Sequence, residues 1–456
     1  MSYDLIVIGA GPGGCDAALA AARAGLKVAL VEKDMMGGTC LNRGCIPTKT
    51  LLHSAELFRA AQNAQRFGVC VRDAAYDLEK IYSRKDEIVQ KLRDGQTSLL
   101  AANKVDLLRG TAFIPQKGVV RVSADGADTL YETDRILIAT GAAAALPRVA
   151  GIDLDGVVTS DALLARTRDF DSIAVIGGGV IGMEFASFYS ALGKTVTVIE
   201  FLPRILTAFD REIAQNLSLI LKRRGADIRM GTTLKSIVAD GDKLTCNCEK
   251  DGAASLVTAD IVLAATGRKP YFAGLFGDEL GIKTQSGIIV NADFESSVKG
   301  IYAVGDVVDG NIQLAHLASA QARYAVAKMT GTNPDISLTA VPACVYTSPE
   351  IAAVGVTEQD AKDRGREVKA VRHPMTGNAR TLIDDAERGF IKLVFDAKSS
   401  VLIGASLMCE RASDLIGQLA LAVSHGLTAA DICTPIHAHP TYYEGIAEAA
   451  ALYLKR

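Results

Sequence analysis

Residues 3–33 read YDLIVIGAGPGGCDAALAAARAGLKVALVEK, and residues 171–201 read DSIAVIGGGVIGMEFASFYSALGKTVTVIEF. Each is an apolar strand, a glycine turn, an Ala-rich or apolar helix and a second strand. Gly9, Gly11, Gly14, Gly25 and Glu32 recur as Gly177, Gly179, Gly182, Gly193 and Glu200, every one displaced by 168 residues. One G-x-G-x-x-G is a weak signal, but two in register, each between strand and helix and each closed by an acidic residue, are a strong one. Glycine allows the sharp turn and lets backbone N–H groups approach a pyrophosphate, which then rests on the helix N-terminus. The closing glutamate accepts hydrogen bonds from a ribose 2′-hydroxyl. The duplication predicts an α/β chain with two Rossmann-like dinucleotide sites.

Working outward, the chain has 456 residues, enough for about three domains by length. Its 49 Lys and Arg against 52 Asp and Glu leave a net charge of −3. That balance gives no basic excess for a nucleic acid, and no polybasic run addresses a membrane surface. No stretch has the run of about 18 apolar residues that a spanning helix needs. The apolar pattern starts at Tyr3, so no leader peptide is expected. Nine cysteines are too dilute for a secreted disulfide scaffold, which predicts a cytoplasmic protein in which a cysteine pair is reactive rather than structural.

Two more apolar strands end in ILIATG (136–141) and IVLAATGR (261–268), one after each fingerprint, placing Gly141 and Gly267 where strand ends close over bound dinucleotides. GIYAVGDVV (300–308) repeats the pattern and carries Asp306, while PRVAGIDLD (147–155) reads as a linker. Past about residue 340, PACVYTSPEIAAVGVTE and RGFIKLVFD alternate apolar and polar positions, as in a separate α+β domain with an antiparallel sheet.

The segment GGTCLNRGCIPTK (37–49) holds Cys40 and Cys45. Five residues of regular helix advance about 7.5 Å, more than a disulfide usually spans, so bridging them requires a distorted first turn, with Gly44 supplying the freedom. Pro47 suits a helix start, and Cys45 then lies near a positive helix end with Lys49 close by; both favour a thiolate. Spacing alone leaves a pair of buried structural cysteines as the alternative.

Paired fingerprints around a C-x-x-x-x-C segment resemble the pyridine nucleotide–disulfide oxidoreductases, a flavoprotein family, over essentially the whole chain. The resemblance implies that the first fingerprint (Gly9, Gly11, Gly14, Glu32) holds FAD with Asp306, and that the second (Gly177, Gly179, Gly182, Glu200) holds the nicotinamide dinucleotide. It makes Cys40 and Cys45 a redox-active disulfide, with Cys40 the interchange thiol and Cys45 against the flavin. Lys49 becomes a flavin neighbour paired with Glu184, a residue that also meets the nicotinamide end. HAHPTYYEGIAEA (437–449) resembles the family's terminal H-P-T-x-x-E motif, giving His439 as a base and Glu444 as its orienting carboxylate. The same resemblance places the histidine of one subunit at the disulfide of the other, hence a homodimer with shared active sites. LAHLASAQA (314–322) adds His316 near the nicotinamide and flavin. The implied division is an FAD-binding part over 1–147, an NAD-binding part over 148–270, a central part over 271–338 completing the FAD site and an interface part over 339–456.

Glu200 argues for NAD, since a 2′-phosphate would meet a carboxylate there; Arg204, four residues on, stands as a residual contact. The cysteine segment and the tail are most similar to members that oxidise dihydrolipoyl groups, which implies a lipoyl-bearing protein of a 2-oxo acid dehydrogenase or glycine cleavage system as partner. The alternative is an NAD(P)H-dependent reductase of another low-molecular-weight disulfide such as glutathione. Arg43 and the pair Tyr442 and Tyr443 depart from the family pattern and are expected near the disulfide substrate, the tyrosines narrowing its channel. Cys246 and Cys248 in LTCNCEK lack further ligands, so no metal site is expected. Cys15, Cys70, Cys344, Cys409 and Cys433 read as small packing residues, and YSRKDEIVQKLRD (82–94) as the solvated face of a long helix.

Overall fold

The computed structural model describes residues 2–167 and 169–455; Met1, Arg168 and Arg456 lie outside them. The first sheet is built around the strand Ser2–Ile8, which pairs in parallel with Val28–Glu32 on one side and Ala127–Ile138 on the other. Its residues LIVI are buried on both faces, as a parallel strand covered by helices requires. Ile301–Ala303 joins the far edge of the same parallel layer, although more than 160 residues of chain separate it from the strand it pairs with. Asp106–Arg109 extends the opposite edge, and a hairpin of Thr111–Gln116 and Val119–Ala124 is carried on the N-terminal half of Ala127–Ile138.

The second sheet repeats the core plan with five parallel strands centred on Ser172–Ile176. The duplication extends to register: Ile8 lies opposite Val31, and Ile176 lies opposite Ile199, again 168 residues on. A three-stranded antiparallel meander over residues 233–259 packs on this sheet, and its core includes Cys246 and Cys248. Both thiols are free and buried there. The two crossings between the sheets run side by side, because Ala142–Ala144 pairs antiparallel with Arg268–Pro270. The linker segment is anchored rather than free: Ile237 N donates to Ala150 O at 2.8 Å.

The last sheet has five antiparallel strands in the order Ala343–Val345, Glu350–Gly355, Leu402–Cys409, Phe390–Asp396 and Val368–Pro374. Helices Ala412–Ser424 and Glu444–Leu454 cover it. This is the α+β layer expected from the alternation in RGFIKLVFD.

Three packing readings differ from expectation. The helix Leu78–Ala102 carries the 82–94 charge cluster, but Tyr82 and Lys85 are buried, and Lys85 Nζ donates to Leu164 O at 2.8 Å. A lysine's long stem lets it bury its methylenes while its ammonium finds a carbonyl, a partner invisible in sequence. Cys70 is exposed rather than packed. Tyr442 is 4% exposed, inside the core of the third layer, with its hydroxyl donating to Asp384 at 2.9 Å, so it does not line a substrate channel. Among the described residues, no helix is long and apolar enough to cross a membrane.

Candidate functional site

Both glycine turns work by the same three steps, and each glycine has its own reason. At the first position the backbone is left-handed: Gly9 has φ +102° and Gly177 φ +108°, and a Cβ would come within 2.5 Å of a carbonyl oxygen in each case, Ala139 or Ala265. At the third position the helix is pressed onto the turn. A Cβ on Gly14 would lie 1.8 Å from Gly9 O, and one on Gly182 would lie 2.0 Å from Gly177 O. Gly14 and Gly182 therefore serve helix-to-turn packing, and neither lines the cavity.

The second position is different in kind. Gly11 and Gly179 cap the helices Pro12–Arg23 and Val180–Ala191 with ordinary negative φ, and a Cβ on either would meet nothing within 4 Å. Neither backbone strain nor packing calls for glycine there. A side chain would project into the cavity in front of a helix N-terminus, where free N–H groups and the helix dipole favour an anion. That is the shape a dinucleotide pyrophosphate needs, and it occurs twice.

The acidic residues close the turns from the other side. Glu32 accepts hydrogen bonds from Ala10 N at 2.7 Å and Asp34 N at 2.8 Å. Glu200 accepts from Gly178 N at 2.5 Å and Leu202 N at 2.6 Å. Each carboxylate thus ties the glycine turn to the segment beyond the second strand. Arg204 lines the cavity, with its guanidinium also donating to Phe209 O at 2.8 Å and Thr207 O at 2.7 Å.

One continuous cavity of about 2010 Å³ joins the two cradles. Besides Gly9, Gly11, Gly177, Gly179, Glu32 and Glu200, it is lined by Cys40, Cys45, Lys49, Gly141, Glu184, Gly267, Asp306 and His316. Cys40 and Cys45 are joined as a disulfide with Cα atoms 4.7 Å apart. The predicted distortion is a complete break: one helix, Gly38–Arg43, ends at Gly44 and another, Cys45–Asn63, begins. A Cβ on Gly44 would lie 2.9 Å from Thr39 O, so the break allows only glycine without rearrangement. Cys45 consequently occupies the first helical position, where the dipole favours a thiolate once the bond is reduced.

Lys49 and Glu184 form the expected pair, at 2.7 and 2.9 Å. Glu184 is 3% exposed, and its charge is also met by Tyr346 N at 3.0 Å, with the Lys49 ammonium 4.7 Å from the Tyr346 ring centre. One carboxylate therefore joins the first, second and third sheets' elements at the cavity, which is adequate compensation for a buried charge. Asp306 is pushed up by burial, opposed by the positive charge of Arg268. His316 Nε2 lies 2.7 Å from Pro342 O. Arg268 does not stand out in the sequence; it reaches Ala142 O at 2.7 Å and Asp161 at 3.3 Å, bracing the cavity between the cradles. Its only signal is its place at the end of IVLAATGR. Tyr346 has none, since its contact is made by backbone across 162 residues.

The tail pair forms as expected, with His439 Nδ1 2.9 Å from Glu444 Oε1. Glu444 Oε2 accepts from Thr441 N at 2.8 Å. That backbone bond and then the histidine hold the Glu444 carboxyl below its usual range. Yet His439 and Glu444 do not line the cavity of their own chain, and the His439 side chain is 71% exposed. Arg43 pairs with Asp34, and both line the cavity beside Cys40 and Cys45. The Tyr443 ring lies tilted at 33° against His437, with ring centres 5.0 Å apart.

Residues 3–322 match the model of the family described as pyridine nucleotide-disulphide oxidoreductase, and residues 341–450 match that family's dimerisation domain. The chain belongs to this family. Its enzymatic class is FAD-dependent, NAD-linked disulfide oxidoreduction, and the two cradles fit the two dinucleotides. The dihydrolipoyl dehydrogenase of Bacillus subtilis is 37% identical over 464 residues, spanning 98% of this chain and 97% of that one. The leghemoglobin reductase of Glycine max is 35% identical over 455 residues, spanning 98% and 87%. Among solved structures, LpdA from Mycobacterium tuberculosis superposes with a TM-score of 0.91 at 28% identity, covering 98% of this chain and 99% of that one. The HOCl-induced flavoprotein disulfide reductase RclA from Escherichia coli superposes at 0.88 with 30% identity, covering 99% and 100%. The matched dimerisation domain makes the chain a homodimer-forming member.

Proposed function

We propose that this oxidoreductase oxidises dihydrolipoyl groups to lipoyl groups with NAD as acceptor. The observation that carries the reading is the Cys40–Cys45 disulfide in the wall of a cavity shared by both dinucleotide cradles. The full-length likeness to dihydrolipoyl dehydrogenases supports the choice of dithiol. In this reading Gly9, Gly11, Glu32, Lys49, Gly141 and Asp306 serve FAD, and Gly177, Gly179, Glu184, Glu200, Gly267 and His316 serve the nicotinamide side, while Gly14 and Gly182 act for the same two cofactors indirectly, by packing each helix onto its turn. The parts 1–147, 148–270, 271–338 and 339–456 are the corresponding units.

The dithiol loses a proton to Nε2 of His439 of the partner subunit, whose Nδ1 is held by Glu444. Its thiolate attacks Cys40 Sγ, forming a mixed disulfide and releasing Cys45 as thiolate. The second substrate thiolate then displaces Cys40, so the substrate leaves as the cyclic disulfide and both cysteines are reduced. Two electrons have moved from substrate to protein, and two protons have been released. FAD, when bound, carries that electron pair from the reduced cysteines to NAD. Exposure of His439 on its own chain supports its action across a dimer interface.

The lipoyl group would arrive on a carrier protein of a 2-oxo acid dehydrogenase or glycine cleavage system. The protein works in the cytoplasm on this reading, consistent with the free thiols Cys15, Cys246, Cys248 and Cys409 that accompany the single disulfide among the described residues. The test follows NADH formation from NAD and dihydrolipoamide. Rapid turnover, abolished by Cys45→Ser and strongly slowed by His439→Ala, supports the reading. No turnover by an FAD-loaded protein whose flavin NADH still reduces would overturn it.

A further inference from the structure

Lys392 lies on the third sheet, in the strand Phe390–Asp396, with only 10% of its side chain exposed. Its ammonium is 3.0 Å from Asp210, 3.1 Å from Glu212 and 3.1 Å from Glu358. Arg372, directly opposite Lys392 on the neighbouring strand, reaches Glu212 at 2.8 Å. Two cations of the dimerisation layer therefore grip one spot on the second dinucleotide-binding unit.

That spot is the N-terminus of the helix Arg211–Arg223, whose cap is Asp210: its Oδ1 accepts from Glu212 N at 2.8 Å while Oδ2 meets Lys392. Immediately before Asp210 runs the segment 201–209, seven of whose residues line the cavity beside Glu200. The segment is strained and tightly tied. Leu206 holds a left-handed backbone at φ +46°, costly for a bulky residue unless its surroundings impose it. Leu206 N donates to Gly178 O at 2.9 Å, inside the second glycine turn, and Arg204 fixes the carbonyls of Thr207 and Phe209. The chain of contacts runs from Lys392 through Asp210 and the strained segment to the turn itself.

We propose that Lys392 is a positioning residue for nicotinamide dinucleotide binding: through Asp210 it locks the segment 201–209 in the shape that completes the second cradle. Touching no reacting atom, it acts from the dimerisation layer. This inference rests on assigning the second cradle to NAD.

The experiment measures the NAD dissociation constant of the FAD-loaded dimer by calorimetry, alongside flavin content, melting temperature and steady-state kinetics. Lys392→Met is expected to weaken NAD binding by about two- to thirtyfold, raising KM for NAD with kcat and flavin content unchanged. Because that change leaves three carboxylates facing one another, a second variant guards against a failure to fold. Asp210→Asn keeps the cap and side-chain size, removes the pairing charge and is expected to weaken binding several-fold. Glu200→Ala separates the two levels of argument. Weaker binding in Glu200→Ala with both Lys392→Met and Asp210→Asn within twofold of the parent overturns the inference alone. Unchanged binding in all three overturns the cradle assignment and the inference with it.

Discussion

The two glycine cradles share their strands, register and glycine sterics, and then part company at the end of the second strand. After Glu32 the chain enters a turn and two short-linked helices that carry the disulfide. After Glu200 it enters a strained segment held by Arg204 and by the ion cluster on Lys392. Glu200 is 9% exposed, whereas Glu32 is half-buried. Identical backbone physics builds both dinucleotide seats, and the segment beyond each seat decides its chemistry. One leads to a bond that can be broken, the other to a wall that is kept still.

The largest break in this comparison is Cys45→Ser, expected to lower turnover by more than about a thousandfold while leaving both cradles loaded. Steady-state NADH formation with a flavin-content assay checks it; retention of turnover would remove the disulfide from the reaction. Next come the packing glycines. Gly14→Ala and Gly182→Ala each drive a methyl into a carbonyl oxygen and are expected to destabilise their own unit by about 1–3 kcal/mol or more, read by thermal unfolding. Gly179→Ala, whose methyl meets only open space, is expected to keep the melting temperature and flavin but lose NAD affinity. Equal melting losses for Gly179→Ala and Gly182→Ala would contradict the division between seat and packing.

Glu200→Ala is expected to weaken NAD binding by roughly ten- to hundredfold, the scale of losing charge-assisted hydrogen bonds, without releasing FAD. Glu32→Ala should reverse that pattern, shedding FAD first; calorimetry and gel filtration with visible absorbance distinguish them. The smallest effect concerns thiols in one cavity. Burial pushes the Cys344 thiol up to about 11, so it stays protonated and unreactive near pH 8. After reduction with NADH, mass spectrometry should find iodoacetamide on Cys40 and little on Cys344.

Reading from the residues alone reaches far where the physics is local. A glycine turn, an acidic strand end and a helix start at Cys45 each depend on neighbours within a few positions, and the 168-residue repeat makes them unmistakable. The Lys49–Glu184 pair and the His439–Glu444 pair are legible through resemblance, and both form. The tyrosines are not: Tyr442 turns into a core and reaches Asp384, because a ring that can bury its face and satisfy its hydroxyl does so. The burial of Lys85 escapes a sequence reading for the same reason: besides the adjacent Asp86, its ammonium meets a carbonyl 79 residues away.

Periodicity, glycine spacing and charge thus determined two dinucleotide seats, a cysteine pair poised at a helix start and an antiparallel last layer. The tertiary structure decided which carboxylate meets which cation across separate sheets, how Ile301–Ala303 completes the first sheet, and that His439 stands outside its own chain's cavity. Local backbone preferences are written in adjacent residues. Pairings between distant charged groups depend on where the folded chain brings them, and burial then fixes the partners because a lone charge in the interior is too costly to leave unmatched.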